Sequence, residues 1–282
     1  EKFIKRLEER KQNGLFRSLS SNSTDNYIDF YSNDYLGFSK LSFDSDLEFE
    51  AGTGSRLISG NNKLYDKIER SLAEFFEAES ALIFNSGYDA NLGLFSSIPQ
   101  KGDTIIYDEL IHASIRDGIR LSNAKSFKFQ HNNIADLKSK VEKAEGEIFI
   151  AVESVYSMDG VFAPVKEVSD YAVSINAKLI VDEAHSAGVF GPGGRGICAH
   201  LNIQDKVFAR LITFGKGFGS HGAIVLGSRN LIDYLINFAR SFIYTTSLPN
   251  LSVERLINVV NESKYNENLR KQLHQRINYF KS

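Results

Sequence analysis

Short runs of β-branched and aliphatic residues recur along the chain, and each stops abruptly at a polar cluster or a glycine. Ala81–Phe84 is followed by NSGY, Thr104–Tyr107 by DELIH, Ile148–Val152 by ESVYSMDG, Lys178–Val181 by DEAH, and Leu211–Thr213 by FGK. Unbroken apolar runs of this length fit strands buried on both faces, as in a parallel sheet. Between them, Leu64, Ile68, Leu72, Phe75 and Phe76 recur at three-to-four spacing and predict a helix over 64–76; the same spacing predicts helices over 134–144 and 165–176. A further β-type run, Ala223–Leu226, precedes a helical pattern beginning near Asn230, and SVERLINVV and NENLRKQLHQRINYF read as two more helices. The N-terminal EKFIKRLEERKQNG sets Phe3, Ile4 and Leu7 on one face of an amphipathic helix. Strands alternating with helices predict a layered α/β fold, with a mostly parallel sheet between helices.

Ligands of such sheets bind beyond the carboxyl ends of the strands. Those ends carry Ser86, His112, Ser157, Asp182, His185, Thr213 and Lys216. Polar groups from widely separated segments are therefore expected to converge on one site.

Composition narrows what the site binds. With 33 basic and 35 acidic residues the net charge is -2, so neither nucleic acid nor an anionic membrane is the expected partner. No run approaches the roughly 18 apolar residues of a membrane span. Cys198 is the only cysteine, which excludes an intrachain disulfide, predicts a reducing, cytoplasmic location and reads as a small hydrophobe. No metal is expected.

The stretch TFGKGFGSHG, Thr213 to Gly222, parses in two ways. From Gly217 it spells the dinucleotide pattern G-x-G-x-x-G. That pattern needs a helix opening at its glycines to anchor a pyrophosphate, whereas here a β-type run follows. GPGGRG, from Gly191 to Gly196, matches the same text with a proline inside it. The second parse centres on Lys216. Pyridoxal phosphate needs a lysine amine, a carboxylate at the pyridine nitrogen and an anchor for its phosphate. Asp182, at a buried strand end, needs a cation and would find it in the pyridinium. The glycines around Lys216 are expected to let a bulky cofactor approach.

With these residues in place the chain resembles the α-oxoamine synthases, pyridoxal-phosphate enzymes of the fold type I transferases. The motifs that carry the likeness are SNDYLGF at 32–38, GTGSRLISGN at 52–61, NSGYDAN at 85–91, DELIHAS at 108–114, ESVYSMDG at 153–160, VDEAHSAGVFGPGGRG at 181–196, TFGKGFGSHGA at 213–223 and FARSFIYTTSLP at 238–249. Members condense an amino acid with an acyl thioester and release carbon dioxide. The likeness is greatest to the biotin-pathway member, which joins L-alanine to a pimeloyl thioester carried on CoA or on a carrier protein.

The resemblance assigns Lys216 to the cofactor aldehyde, Asp182 to the ring nitrogen, His112 to stacking on the ring and His185 to its phenolic oxygen. It places Gly87, Tyr88 and Thr213 at the phosphate and Ser157 beside the ring. It also implies a substrate-binding role for Asn33 and Arg17 alongside His112, and a homodimer in which Thr245 and Thr246 reach the neighbour's phosphate. The implied organisation is an N-terminal segment over 1–38, a large cofactor-binding domain over 39–250, and the start of a C-terminal small domain over 251–282, the rest of which this chain would lack. Between Gly37 and Gly52 the chain is shorter than the family pattern. A non-catalytic relative is the alternative of another class, and the presence of Lys216 argues against it.

Overall fold

The structure is a computed structural model describing residues 1–19, 28–47 and 51–282. Of the short segment between Gly37 and Gly52, residues 48–50 lie outside the described residues. The chain divides into two compact units, Glu1–Ser32 and Asn33–Ser282. In the first, α1 (Lys2–Gln12) carries the expected apolar face, on which Phe3, Ile4 and Leu7 are all exposed.

The second unit is built on a seven-stranded sheet. Its strands are β1 (Ser80–Phe84), β2 (Thr104–Asp108), β3 (Lys125–Phe129), β4 (Ile148–Glu153), β5 (Lys178–Asp182), β6 (Ala209–Thr213) and β7 (Ala223–Gly227), in the order β1-β7-β6-β5-β4-β2-β3. β3, β2, β4, β5 and β6 run parallel, and β7 is antiparallel to both β1 and β6. The helices are α2 (Lys63–Phe75), α3 (Gly87–Ser97), α4 (Ala113–Leu121), α5 (Ile134–Val141), α6 (Val165–Ser174), α7 (Ile197–His200), α8 (Arg229–Phe238), α9 (Arg240–Ile243), α10 (Asn250–Tyr265) and α11 (Glu267–Lys281).

Alternation along the strands sends side chains to two faces. On one, Leu82, Ile105, Phe149, Ala151, Ile180, Leu211 and Val225 pack against Ala90, Leu94 and Phe95 of α3, Ile115 and Ile119 of α4, and Leu235 of α8. On the other, Ile83, Ile212, Ile224 and Leu226 meet Tyr65, Ile68 and Leu72 of α2 and Val253, Leu256 and Val260 of α10. Ile106, Ile150, Val152, Leu179 and Val181 meet Leu137 of α5 and Val168 and Ala172 of α6. Burial on both faces explains why these strands show as unbroken apolar runs. The result is the helix–sheet–helix layering expected of the sequence.

Four parallel strands end in a polar residue: Asp108, Glu153, Asp182 and Thr213. By alternation Glu153, Asp182 and Thr213 lie on the face covered by α3 and α4. The fold thus delivers them to one edge, under the N-termini of two helices.

Candidate active site

Lys216 lies just beyond β6, half-buried, with its Nζ 2.7 Å from Nε2 of His185. The other ring nitrogen of His185, Nδ1, is 2.7 Å from the hydroxyl of Tyr35, which donates to Oδ1 of Asn33 at 3.1 Å. Burial lowers the Lys216 amine below its ordinary range, against the raising pull of Asp182 and Glu153. Burial, then the charges of Lys216 and His112, hold His185 down to about 4. His185 is therefore neutral near pH 7, and the lysine is shifted toward the free amine.

Glycine packing brings these segments together. A Cβ on Gly217 would lie 2.6 Å from the carbonyl oxygen of Ala187, and one on Gly219, whose φ is +53°, would lie 2.2 Å from the Ser39 nitrogen. The loop carrying Lys216 thus sits backbone to backbone against both the DEAHSAG turn and the SNDYLGFS segment. The sequence suggested that these glycines make room for a cofactor. Gly217 and Gly219 instead meet the chain's own backbone, while a Cβ on Gly215 would touch nothing nearer than 3.8 Å.

Asp182, 5% exposed, receives a hydrogen bond on Oδ2 from Asn91 Nδ2 at 2.8 Å and one on Oδ1 from the Ala184 N–H at 2.9 Å. Among the described residues these are its carboxylate's hydrogen-bond partners, and neither is a cation. The Asn91 amide also donates to Ser114 Oγ at 3.0 Å, and that oxygen lies 2.7 Å from His112 Nδ1. His112 caps α4, its Nδ1 accepting the Ser114 N–H at 3.2 Å, while the residue itself remains exposed. Burial, foremost, lowers the His112 pKa. A neutral imidazole anchored at one nitrogen leaves its ring free to stack.

Gly87 and Tyr88 open α3, where first-turn N–H groups lack helical partners and favour an anion. Ser86 caps this end by accepting the Asp89 N–H at 3.1 Å. A Cβ on Gly87 would come within 3.4 Å of the Thr213 side chain, so the two stand side by side. The Tyr88 hydroxyl donates to Asp117 on α4, leaving its backbone N–H at the helix end. Asn85 ties in the later segment: its Nδ2 donates to Thr245 Oγ1 at 3.1 Å and to the Thr246 carbonyl at 2.7 Å.

Ser157 lies exposed in the turn after β4 and, among the described residues, shares no hydrogen bond with the groups above. Arg17 belongs to the first unit. The sequence reading missed Tyr35 and Asn91. Both sit inside motifs it quoted, SNDYLGF and NSGYDAN, and their partners lie far along the chain.

Pyridoxal phosphate fits what is present. A buried carboxylate lacks a cation, a shifted lysine stands at a strand end, and a helix N-terminus beside Thr213 offers an anion seat free of a side chain at Gly87. Such a site, on a three-layer α/β fold, has the form of a seat for a carbonyl-bearing, phosphorylated cofactor beside a burial-shifted lysine.

Comparison with known proteins agrees. The sequence pattern of the family described as aminotransferase class I and II matches residues 25–282. An 8-amino-7-oxononanoate synthase of Emericella nidulans is 44% identical over 265 residues, covering 85% of this chain and 64% of that one. The chain thus spans somewhat under two thirds of that relative's length. The structure of 8-amino-7-oxononanoate synthase from Francisella tularensis superposes with a TM-score of 0.77 at 33% identity, covering 91% of this chain and 75% of that one. A Sphingomonas wittichii serine palmitoyltransferase superposes with a TM-score of 0.81 at 32% identity, covering 86% and 63%. The chain belongs to the aminotransferase class I and II family, among the α-oxoamine synthases.

Proposed function

We propose that the protein is a pyridoxal-phosphate-dependent acyltransferase that condenses L-alanine with a pimeloyl thioester, giving 8-amino-7-oxononanoate, carbon dioxide and the free thiol in biotin biosynthesis. The observation that carries the reading is the contact of a burial-shifted Lys216 amine with His185, together with a buried Asp182 whose carboxylate has no hydrogen-bonded cation among the described residues. When bound, pyridoxal phosphate supplies a carbonyl for amines and a protonated ring that accepts electrons from the substrate α-carbon.

The chain's own residues do the rest. Lys216 Nζ, shifted toward the neutral form by burial, takes a proton from the α-carbon and returns it to the product. His185 fixes that nitrogen's position. Asp182, oriented by Asn91 and Ala184, keeps the ring nitrogen charged. His112 would stack on the ring and shield it from water, and the head of α3 with Thr213 would hold the phosphate. Asn33, through its carboxamide, and Arg17 are assigned to the amino-acid and acyl substrates.

A cytoplasmic homodimer, with Thr245 and Thr246 completing the neighbour's site, belongs to the same proposal, as does the division at residues 38 and 250. Among the described residues no helix is long and apolar enough to cross a membrane. The competing reading keeps the chemistry and changes the substrates: glycine with acetyl-CoA, glycine with succinyl-CoA or serine with palmitoyl-CoA. The Sphingomonas wittichii neighbour supports keeping it in view.

The test uses purified protein loaded with pyridoxal phosphate. A visible band that borohydride bleaches is expected, together with thiol release with L-alanine and pimeloyl thioester. Lys216→Ala should lose the bleachable band and at least about 10²–10⁴-fold in turnover, the range of a general base alone. Normal turnover in that variant overturns the assignment. Preference for glycine or serine in product analysis selects the competing reading.

A further inference from the structure

Three of the parallel strands end in carboxyl groups, and they are not equally provided for. Asp108 accepts the N–H groups of Leu110 and Asn132, each at 2.9 Å, and faces His131 Nδ1 at 3.0 Å. Asp182 accepts from Asn91 and Ala184. Glu153, only 2% exposed, has an oxygen, Oε1, without a hydrogen-bond partner among the described residues, and the main-chain N–H of His112 is the donor facing its carboxyl. It stands in register with Asp182 on the adjacent parallel strand. Neighbouring strands lie about 4.8 Å apart, and both residues point to the same face.

Two buried carboxyl groups that project from paired positions of neighbouring strands disfavour each other's ionised form, and the proton goes to the one with fewer donors. We propose that Glu153 stands as the neutral acid and acts as a positioning residue, leaving Asp182 as the single negative charge that faces the site. Burial, then the charge of Asp182, pushes the Glu153 carboxyl up to about 8. The groups around it are Asp182 on β5, Asp108 on β2, His112 at the head of α4, Lys216 beyond β6 and Tyr156 in the turn after β4.

The consequence falls on Lys216. Ionised Asp182 and Glu153 both pull its amine toward the charged form, against burial. A protonated Glu153 removes one of the two pulls, and burial prevails. One negative charge also matches one ring cation. The bearing on catalysis rests on the reading of the site as a pyridoxal phosphate site, but the protonation state does not.

It is therefore tested on the protein without cofactor. Infrared spectra of folded wild-type protein at pH 7 should contain a protonated-carboxyl C=O band that disappears on unfolding at the same pH and is missing in Glu153→Gln. Absence of the band from folded wild-type protein overturns the proposal even if the variant does not fold, and its persistence in Glu153→Gln does so as well. Thermal melts supply the second readout. A carboxyl whose folded pKa is raised loses its stabilising contribution as pH climbs from about 4.5 to about 8. The Tm of Glu153→Gln relative to wild type should thus rise by several degrees between pH 5 and 9, and parallel Tm curves contradict the proposal. Failure to bind pyridoxal phosphate sinks the proposed function and leaves these outcomes untouched.

Discussion

Asp182 and Glu183 are consecutive, both acidic and both buried, yet their surroundings are opposite. Glu183 is wholly enclosed, and its Oε2 receives the Arg210 Nε at 2.6 Å. Its Oε1 accepts the Cys198 N–H at 3.0 Å and faces Ser186 Oγ at 3.2 Å. Each terminal nitrogen of Arg210 also donates to a carbonyl, that of Phe76 at 2.8 Å and that of Arg195 at 2.7 Å. Gly196, in the GPGGRG stretch, leaves no space for a Cβ beside that carboxylate. One residue earlier, the carboxylate of Asp182 has two neutral donors and, among the described residues, no hydrogen-bonded cation. A buried carboxylate whose charge is balanced within the chain holds structure together; one whose charge is not balanced marks a ligand. In the second glycine match, Gly196 packs its backbone against the chain's own Glu183 side chain. Cys198 is buried beside Glu183, and burial, then the charge of Glu183, pushes its thiol well up.

The contrast breaks most sharply at Arg210. Arg210→Met leaves Glu183 buried and unpaired, which should cost about 3–5 kcal/mol and lower the Tm by on the order of 10 °C. Asp182→Asn removes a charge that no cation hydrogen-bonds among the described residues and should cost less than about 2 kcal/mol, while pyridoxal phosphate is no longer retained. Calorimetry of both variants without cofactor checks this. Equal losses of Tm would show that Asp182 is as structural as its neighbour.

The sequence disclosed this division only in part. Strands buried on both faces give unbroken apolar runs, so six of the seven were readable, and their polar ends with them. β3, KSFKF, was missed because it is an edge strand with lysines in its pattern. α3, GYDANLGLFSS, was missed because it is apolar on most sides and holds glycines. Lys216, Asp182, His185 and Thr213 were legible because each ends a strand or follows one directly. Tyr35 and Asn91 were not, because their roles come from partners 150 and 91 positions away. For Asn91 a signal did exist: it lies four residues after Gly87, one helical turn below the end proposed to seat the phosphate.

Asn91 sharpens the comparison from the side of the site. Its amide reaches Asp182 and Ser114 together, so Asn91→Ala leaves a buried carboxylate short of a donor and unties Ser114, which holds His112. The loss of a hydrogen bond to a buried charged group is worth about 1–3 kcal/mol, or roughly 5- to 150-fold in the Kd for pyridoxal phosphate. Titration of the visible band measures it. Cys198→Ala, on the Glu183 side, should leave that Kd unchanged. An unchanged Kd in Asn91→Ala would mean that Ala184 alone orients the carboxylate.

The smallest effect is expected at Tyr35, and it separates a proton-ordering role from simple packing. The hydroxyl has one hydrogen and two partners, Asn33 Oδ1 at 3.1 Å and His185 Nδ1 at 2.7 Å. When that hydrogen goes to Asn33, the hydroxyl oxygen accepts from His185 Nδ1–H, and Nε2 is left bare to accept from Lys216. Asn33 and Tyr35 together therefore choose the tautomer in which His185 holds the lysine by a lone pair. Burial keeps the histidine neutral down to about pH 4, so tautomer rather than charge is what this contact sets. Tyr35→Phe removes one net hydrogen bond, about 0.5–1.5 kcal/mol. It should lower kcat by up to roughly tenfold, leave KM for the amino acid nearly unchanged and shift the His185 nitrogen resonances toward the other tautomer in NMR spectra. If kcat and the resonances both stay at their wild-type values, the hydroxyl does not order the proton, and Lys216 is positioned by the glycine-packed loops alone.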